Sequence, residues 1–189
     1  MAGSEVQQEI ERTRALADRA RAVLENLTEE QVHRRPEPDR WSVGECFVHM
    51  NRANRPYLDA LEPAVRRLRA EGRTAEGPFR YGWFEEWFVR QASPPATRRF
   101  KAPKVFQPPA AETVDASDTR REFFALLDRL EAVLRDAEGL DLTAAKVTSP
   151  VTRLVKLRLG PAFRLLTGHT ERHLIQAQGA REAILKEAS

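Results

Sequence analysis

The sequence is short of several features that mark particular classes of protein. It has a single cysteine, Cys46, so an internal disulfide is excluded and a reducing cytoplasm is the simplest setting. It contains no apolar run long enough to span a bilayer, and its first residues lack the basic and apolar regions of a secretory signal. Basic and acidic residues nearly balance, at 31 and 28, without a basic stripe interleaved with aromatics. We therefore expect a cytoplasmic protein that binds neither nucleic acid nor membranes.

The 189 residues suit one domain, and helical periodicity dominates them. Apolar residues recur at helical spacing in two segments within residues 5–71 and in two more within residues 118–189. Between these halves, residues 72–117 form a long connection. The pattern predicts an all-α four-helix bundle with a crossover between its second and third long helices. The cores of such bundles often hold metal sites built from facing helices.

Local signals set the expected helix boundaries. Ser42 and Glu45 fit a capping box at the start of the second long helix, and Trp41 precedes them as a hydrophobic staple. Residues 119–122 fit a second capping box, which predicts that the third long helix begins at 118 or 119. Pro56 lies inside the second helix and is expected to kink it, or to end it and start another.

Two connections break the helical rhythm. Residues 72–117 are rich in glycine and proline, but residues 83–89 are dense in aromatics and favour a short helix. Its aromatic side chains would either wall a pocket or only cover the core, and the sequence leaves both readings open. In the second connection, residues 141–159, we predict a helical turn around residues 154–157.

Three of the four histidines fall on helical stripes expected to face the core. His169 and His173 are four residues apart, which on a helix places their Cβ atoms roughly 5–6 Å apart on one face. His49 occupies a similar stripe of the second long helix and is the natural third ligand. Imidazole suits Zn, Ni, Fe and Cu, and three histidines leave a coordination position open, as in catalytic zinc sites.

Other interpretations accompany the metal site. The three histidines could instead be core residues held by backbone carbonyls or by Gln176 and Glu45. Gln176, one turn beyond His173, would orient that imidazole or lie at the rim of the site. Glu45 fits a capping role better than a ligand role, and a lone cysteine such as Cys46 usually packs as a small hydrophobe.

Two segments together resemble the DinB/YfiT-like superfamily. The first is Trp41-Ser42-Val43-Gly44-Glu45-Cys46-Phe47-Val48-His49, and the second is His169-Thr170-Glu171-Arg172-His173-Leu174-Ile175-Gln176. Between them, Lys101-Ala102-Pro103-Lys104 and Pro108-Pro109 also resemble that superfamily. The resemblance implies an up-down-down-up four-helix bundle in which His49, His169 and His173 hold a divalent metal, with Zn or Ni as the expected ions.

The same resemblance suggests an activity and partners. Members include thiol S-transferases and isomerases that use low-molecular-weight thiols such as bacillithiol or mycothiol, and homodimers are common among them. All three ligand positions are histidine here, whereas the mycothiol-dependent isomerases have a carboxylate in place of one histidine of the last helix. The expected function is thus a thiol-dependent S-transferase that acts on small electrophiles. The alternatives are a metal-dependent hydrolase and a non-catalytic metal-binding or stress-response module.

Overall fold

The computed structural model describes residues 4–95, 104–109, 115–150, 152 and 154–187. These residues are mostly helical, which confirms the all-α prediction. The α-helices are α1 (Glu5–Leu24), α2 (Glu29–His33), α3 (Val43–Ala70), α4 (Trp83–Ala92), α5 (Ala116–Asp136) and α6 (Leu159–Glu187). A 3₁₀ turn covers Lys104–Phe106, and strands β1 (Lys146–Thr148) and β2 (Lys156–Arg158) form an antiparallel hairpin. No described helix is both long and apolar enough to cross a membrane.

Helices α3 and α5 pack side by side and run in the same direction. Asn51, near the start of α3, donates to the Thr119 carbonyl, and Arg69, near the end of α3, donates to the Asp136 carbonyl. A 28-residue helix is about 42 Å long, so the chain must return that distance before α5 can begin. This geometry explains why a long crossover, which contains α4, separates the two helices.

Helices α1 and α6 form the second parallel pair, and the two pairs oppose each other. Arg12 pairs with Glu171 and Arg19 with Gln178, so residue numbers along α1 and α6 increase in the same direction. Between α3 and α6 the order reverses, since His49 meets His173 while Asn54 donates to Thr170. The four long helices therefore follow an up-down-down-up course.

The predicted apolar faces of α3 and α5 are buried in the core, together with residues of α1, α6 and the hairpin. Phe47 and Phe123 lie beneath the first turns of these helices and contact each other edge to face, with ring centroids 4.7 Å apart. Every residue predicted for the two faces is buried: Cys46, Met50, Ala53, Tyr57, Leu61, Val65 and Leu68 on α3, and Phe123, Leu126, Leu127, Leu130, Val133 and Leu134 on α5.

The structure decides one helix boundary and corrects another. Of the two alternatives for Pro56, it excludes an end of the helix, because α3 continues through Pro56 and buries Tyr57 and Leu58 directly after it, which outweighs the loss of one intrahelical hydrogen bond. Helix α5 begins at Ala116, two or three residues earlier than predicted, with Asp115 as its N-cap accepting from the Asp118 N–H. Asp is as good an N-cap as Thr, so residues 119–122 join an existing helix instead of starting one.

The second connection holds a β-hairpin, so the helical turn predicted around residues 154–157 is wrong. Val147 and Leu157 are paired across the two strands and are buried, whereas Lys146, Thr148 and Lys156 point outward. The hairpin is tied to α4 by Glu85, whose carboxylate accepts from the Arg158 backbone N–H at 2.7 Å. This tertiary contact favours extended backbone where local sequence favours a turn.

Gly160 leaves space for a close contact at the start of α6. A Cβ at this position would overlap the Tyr81 hydroxyl and come within 2.7 Å of Glu5 Oε1. We expect Gly160→Ala to lower the free energy of unfolding by about 1–3 kcal/mol, measured by denaturant titration, because the rigid Tyr81 ring must move.

Gly179→Ala on the same helix is the matched control. Its Cβ would meet nothing closer than Arg40 Nη2 at 3.8 Å, so we expect a gain of about 0.5–1 kcal/mol. Equal effects of both changes would contradict this packing.

Candidate metal centre

The site is built where the N-terminal part of α3 faces the middle of α6. Ser42 caps α3, accepting from the Glu45 N–H at 3.1 Å, while the Glu45 carboxylate accepts from the Ser42 N–H at 2.9 Å. This capping box fixes the first turn of α3 and so places His49 almost two turns into the helix. His169 and His173 lie one turn apart on α6, and both face His49.

The structure brings the three predicted histidines together. One potential ligand atom from each of His49, His169 and His173 lies within 4.8 Å of the others. In the described part of the chain, this is the one group of three or more His, Cys, Asp or Glu side chains close enough to hold a metal ion. Ring centroids are 4.3 Å apart for His49 and His173, 4.5 Å for His169 and His173, and 5.1 Å for His49 and His169.

Hydrogen bonds on the far side of two rings set their tautomers. His49 Nδ1 lies 2.7 Å from the Phe106 carbonyl oxygen, which can only accept, so Nδ1 carries the proton and Nε2 carries the lone pair. His173 Nδ1 likewise lies 3.0 Å from Gln176 Oε1. Such outer partners orient metal-binding imidazoles in known sites. Gln176 therefore contacts His173 from an exposed position on α6.

The nitrogen spacing fits a tetrahedral metal ion. Nε2 of His49 and Nε2 of His169 are 3.3 Å apart. Two nitrogens bound at about 2.0–2.1 Å to one tetrahedral ion are separated by about 3.3–3.4 Å. His49 Nε2 carries a lone pair, so at this distance His169 Nε2 either donates a proton to it or shares a cation with it. The donor set and its spacing therefore fit a divalent metal.

All three imidazoles are held neutral. Burial lowers the pKa of His49, of His173 and, to about 3, of His169. The neighbouring imidazoles lower the pKa of His169 and His173 further, and the positive charge of Arg172 lowers all three values. Neutral imidazole is the metal-binding form, so protons do not compete for these nitrogens at neutral pH.

This neutrality predicts how acid affects the metal-free protein. Unfolding returns each histidine to an ordinary pKa near 6.5, so below that pH the unfolded chain binds more protons than the folded one. The contribution of the neutral imidazoles is fully present above pH 6.5 and is lost as the pH falls, for His169 down to about pH 3. We therefore expect the free energy of unfolding, measured in chelator, to decrease between about pH 6.5 and 4.5.

A double variant tests the source of this pH dependence. His169→Ala/His173→Ala removes two of the three groups, so its stability should vary less over the same interval. The interval stops at about pH 4.5 because carboxylates protonate below it, including Glu62, whose pKa is lowered by a hydrogen bond from Arg129. An unchanged slope in the double variant would contradict neutral imidazoles in the fold.

Trp41 and Glu45, from the predicted start of α3, contribute to the site in different ways. Trp41 packs against the cluster, with its ring centroid 4.9 Å from that of His49 and 6.0 Å from that of His173. Glu45 is fully buried, and its carboxylate accepts from the Ser42 N–H and from the Arg35 guanidinium. Glu45 thus performs the capping role that the sequence favours. Trp41 forms a wall of the site.

His169 and His173 lie at the edge of the core instead of on its central stripe, whereas His49 is buried. The buried face of α6 near the site consists of Leu166, Thr170, Leu174 and Ala177, whereas His169 and His173 are partly exposed. The sequence pattern predicts that both imidazoles face the core directly. In the structure, that position is taken by neighbouring residues, and the two imidazoles lie beside them. Their edge position leaves the cluster accessible from outside the bundle.

Two groups that act on the histidine cluster were not predicted from the sequence. The Phe106 carbonyl holds His49, and no sequence pattern identifies a backbone acceptor 57 residues from its donor. The positive charge of Arg172 lowers the pKa of both imidazoles of α6, and its position one residue before His173 could have indicated this. Of the sequence segment Lys101-Ala102-Pro103-Lys104, residues 101–103 lie outside the described residues.

A helical bundle whose facing helices bring three neutral imidazoles together fits a metal-binding protein. Comparison with protein families agrees, because the model of the DinB superfamily matches residues 10–177. This match covers most of the chain, including all three histidines, and the protein belongs to the DinB superfamily. A comparison with curated proteins found no significant match, and neither did a comparison with solved structures.

Proposed function

We propose that this protein is a divalent-metal-dependent enzyme that transfers a low-molecular-weight thiol to a small electrophile in the cytoplasm. His49, His169 and His173 would hold the metal, with Zn or Ni as the preferred ions. The observation that carries the proposal is the convergence of three neutral imidazoles, with Nε2 of His49 and Nε2 of His169 3.3 Å apart. Three protein ligands leave a coordination position for a small molecule.

The chain's own residues prepare this site in three ways. The Phe106 carbonyl and Gln176 hold the Nδ1 protons of His49 and His173, which directs the Nε2 lone pairs inward. Trp41 covers His49 and His173 and keeps water from that side of the cluster. Burial keeps the imidazoles unprotonated, so they remain donors at neutral pH.

The thiol must come from a cosubstrate. Cys46 is fully buried, and burial raises the pKa of its thiol far above neutral pH, so the chain's single thiol is inert. A bound divalent metal lowers the pKa of a thiol or water molecule at its open position. In the transfer, the cosubstrate sulfur bonds to the electrophilic carbon, the leaving group departs with its electron pair, and the thiol proton passes to solvent.

A thiol-panel assay tests the proposal. Protein loaded with Zn²⁺ or Ni²⁺ is mixed with a generic chloroaryl electrophile and with bacillithiol, mycothiol, glutathione or cysteine in turn. We expect thiol-dependent turnover by the wild type and its loss in His49→Ala, with helix content unchanged by circular dichroism. His33→Ala, which removes the histidine outside the cluster, is the matched control.

Three other results would decide against thiol transfer. Consumption of an ester or amide substrate without thiol would assign a metal-dependent hydrolase. No turnover with any thiol, with metal bound, would favour a binding or stress-response module. Turnover that His49→Ala leaves intact would place the chemistry elsewhere.

The proposal includes the organisation of the chain. Residues 1–189 would form one DinB-like domain, with residues 72–117 as the crossover beside the site. Helix α4 supports this role, because Ser93 at its end packs against Gly168, the neighbour of His169. Two copies would pair as a homodimer, which sedimentation velocity can test.

A further inference from the structure

A polar pair, Asn54 of α3 and Thr170 of α6, lies inside the apolar core. Asn54 is 3% exposed, Thr170 is fully buried, and Asn54 Nδ2 donates to Thr170 Oγ1 at 3.0 Å. The amide oxygen of Asn54 is also buried, and it has no hydrogen-bond partner among the described residues. A buried polar atom without a partner costs stability, so two well-packed apolar side chains would stabilise this part of the core at least as well.

The Asn54–Thr170 pair lies on the boundary between two apolar clusters. The residues one turn before and one turn after each partner are buried and apolar: Met50 and Leu58 on α3, and Leu166 and Leu174 on α6. Met50 and Leu174 belong to one cluster, whereas Leu58 and Leu166 belong to the other. The pair is therefore a polar layer between two apolar parts of the bundle core.

This polar layer is satisfied in one register of α6 against α3. If α6 moved by one turn, the Asn54 amide would face Leu166 or Leu174 and would be buried without a partner for either of its polar ends. The apolar residues on each side are similar from turn to turn, so they discriminate poorly between neighbouring registers. In coiled coils, a single buried asparagine fixes helix register in this way at a cost in stability.

The same two helices carry the histidine cluster. Thr170 directly follows His169, and Asn54 comes five residues after His49 on α3. Nε2 of His49 and Nε2 of His169 are 3.3 Å apart, a spacing that fits one tetrahedral ion. Metal–ligand distances in protein sites vary by only about 0.2 Å, so a small movement of α6 along or about its axis would take His169 out of position.

We propose that Asn54 and Thr170 are positioning residues, whose hydrogen bond sets the register of α6 against α3 and thereby the spacing of the three imidazoles for a metal ion. This inference rests on the proposed function, because it requires that the cluster binds a metal. It goes further by assigning control of the metal-binding geometry to two residues outside the ligand set.

Cobalt titration of an apolar replacement tests the inference. Asn54→Leu/Thr170→Val removes both polar groups at nearly constant volume and leaves neither partner unpaired. Its unfolding midpoint, measured in chelator, should equal or exceed that of the wild type. Its dissociation constant for Co²⁺, measured by visible absorption, should rise by about tenfold or more, as for other residues that orient metal ligands. At saturation the visible bands should shift or weaken, because coordination geometry determines them.

Two variants serve as controls. Thr170→Ser keeps the hydroxyl that accepts from Asn54, so its dissociation constant for Co²⁺ should stay within about twofold of the wild type. Tyr57→Phe removes a different buried hydrogen bond of α3, which joins the Tyr57 hydroxyl to Ser149 Oγ at 2.8 Å. Because that bond ties α3 to the end of β1 and not to α6, Tyr57→Phe should lower the unfolding midpoint without changing the dissociation constant.

The inference and the proposed function fail in different ways. If the wild type binds no Co²⁺, the proposed function is wrong and the inference falls with it. If the wild type binds Co²⁺ and Asn54→Leu/Thr170→Val binds it equally well, the inference alone is overturned. A double variant that loses stability and affinity together would also overturn it, because the pair would then only hold the bundle together.

Discussion

Replacing His169 and His173 by alanine together should lower the affinity for Zn²⁺ by about 10⁴-fold. Structural zinc sites with four ligands bind with about 10–16 kcal/mol, so each ligand contributes about 3 kcal/mol, or two powers of ten. The double variant keeps only His49 of the three converging imidazoles. Competition with a chromophoric zinc chelator measures the change.

His33→Ala is the control for this experiment, because it removes an imidazole outside the cluster. Its affinity should stay within about twofold of the wild type, well under the 1.4 kcal/mol that corresponds to tenfold. A loss of less than tenfold in the double variant would mean that zinc binds elsewhere. Circular dichroism of both variants should match the wild type, since the buried face of α6 is formed by other residues.

Phe123→Ala is expected to have the largest effect on stability. Its side chain is fully buried and packs edge to face on Phe47, beneath the first turns of α3 and α5. The cavity should lower the free energy of unfolding by about 3–5 kcal/mol, which corresponds to a fall in Tm of about 6–20 °C for a chain of this size. Denaturant titration and calorimetry measure the two quantities.

Trp83→Ala is the matched aromatic control, since Trp83 on α4 is 80% exposed. We expect its effect to stay within about 0.5 kcal/mol. If the two substitutions had equal effects, the core would not be centred on the contact between α3 and α5.

The bundle and the histidine cluster could be predicted because their signals are local and repeated. Helical spacing places His169 beside His173, and a capping box fixes the start of α3 and hence the position of His49. Bundle architecture predicts that α3 and α6 face each other, but it does not give distances. The structure places one ligand atom of each of the three histidines within 4.8 Å of the others. The sequence thus predicted the members of the cluster, and the fold supplied their distances.

Features that depend on distant partners could not be predicted in this way. The strands β1 and β2 have three residues each, which is too short to show a recognisable alternation of apolar and polar side chains. The hairpin also depends on a hydrogen bond to Glu85 of α4, which is distant in sequence. The Phe106 carbonyl carries no residue-specific signal. Pro56 is tolerated in α3 because the tertiary core around Tyr57 outweighs a local preference.

The metal content of the purified, untagged protein shows whether the three histidines bind a metal. Elemental analysis should find close to one first-row divalent metal per chain in the wild type, or after incubation with Zn²⁺ or Ni²⁺, and little in His169→Ala/His173→Ala. Absence of metal from the wild type even after incubation would rule out the three-histidine metal site. His49, His169 and His173 would then be packed, hydrogen-bonded residues at the edge of the core.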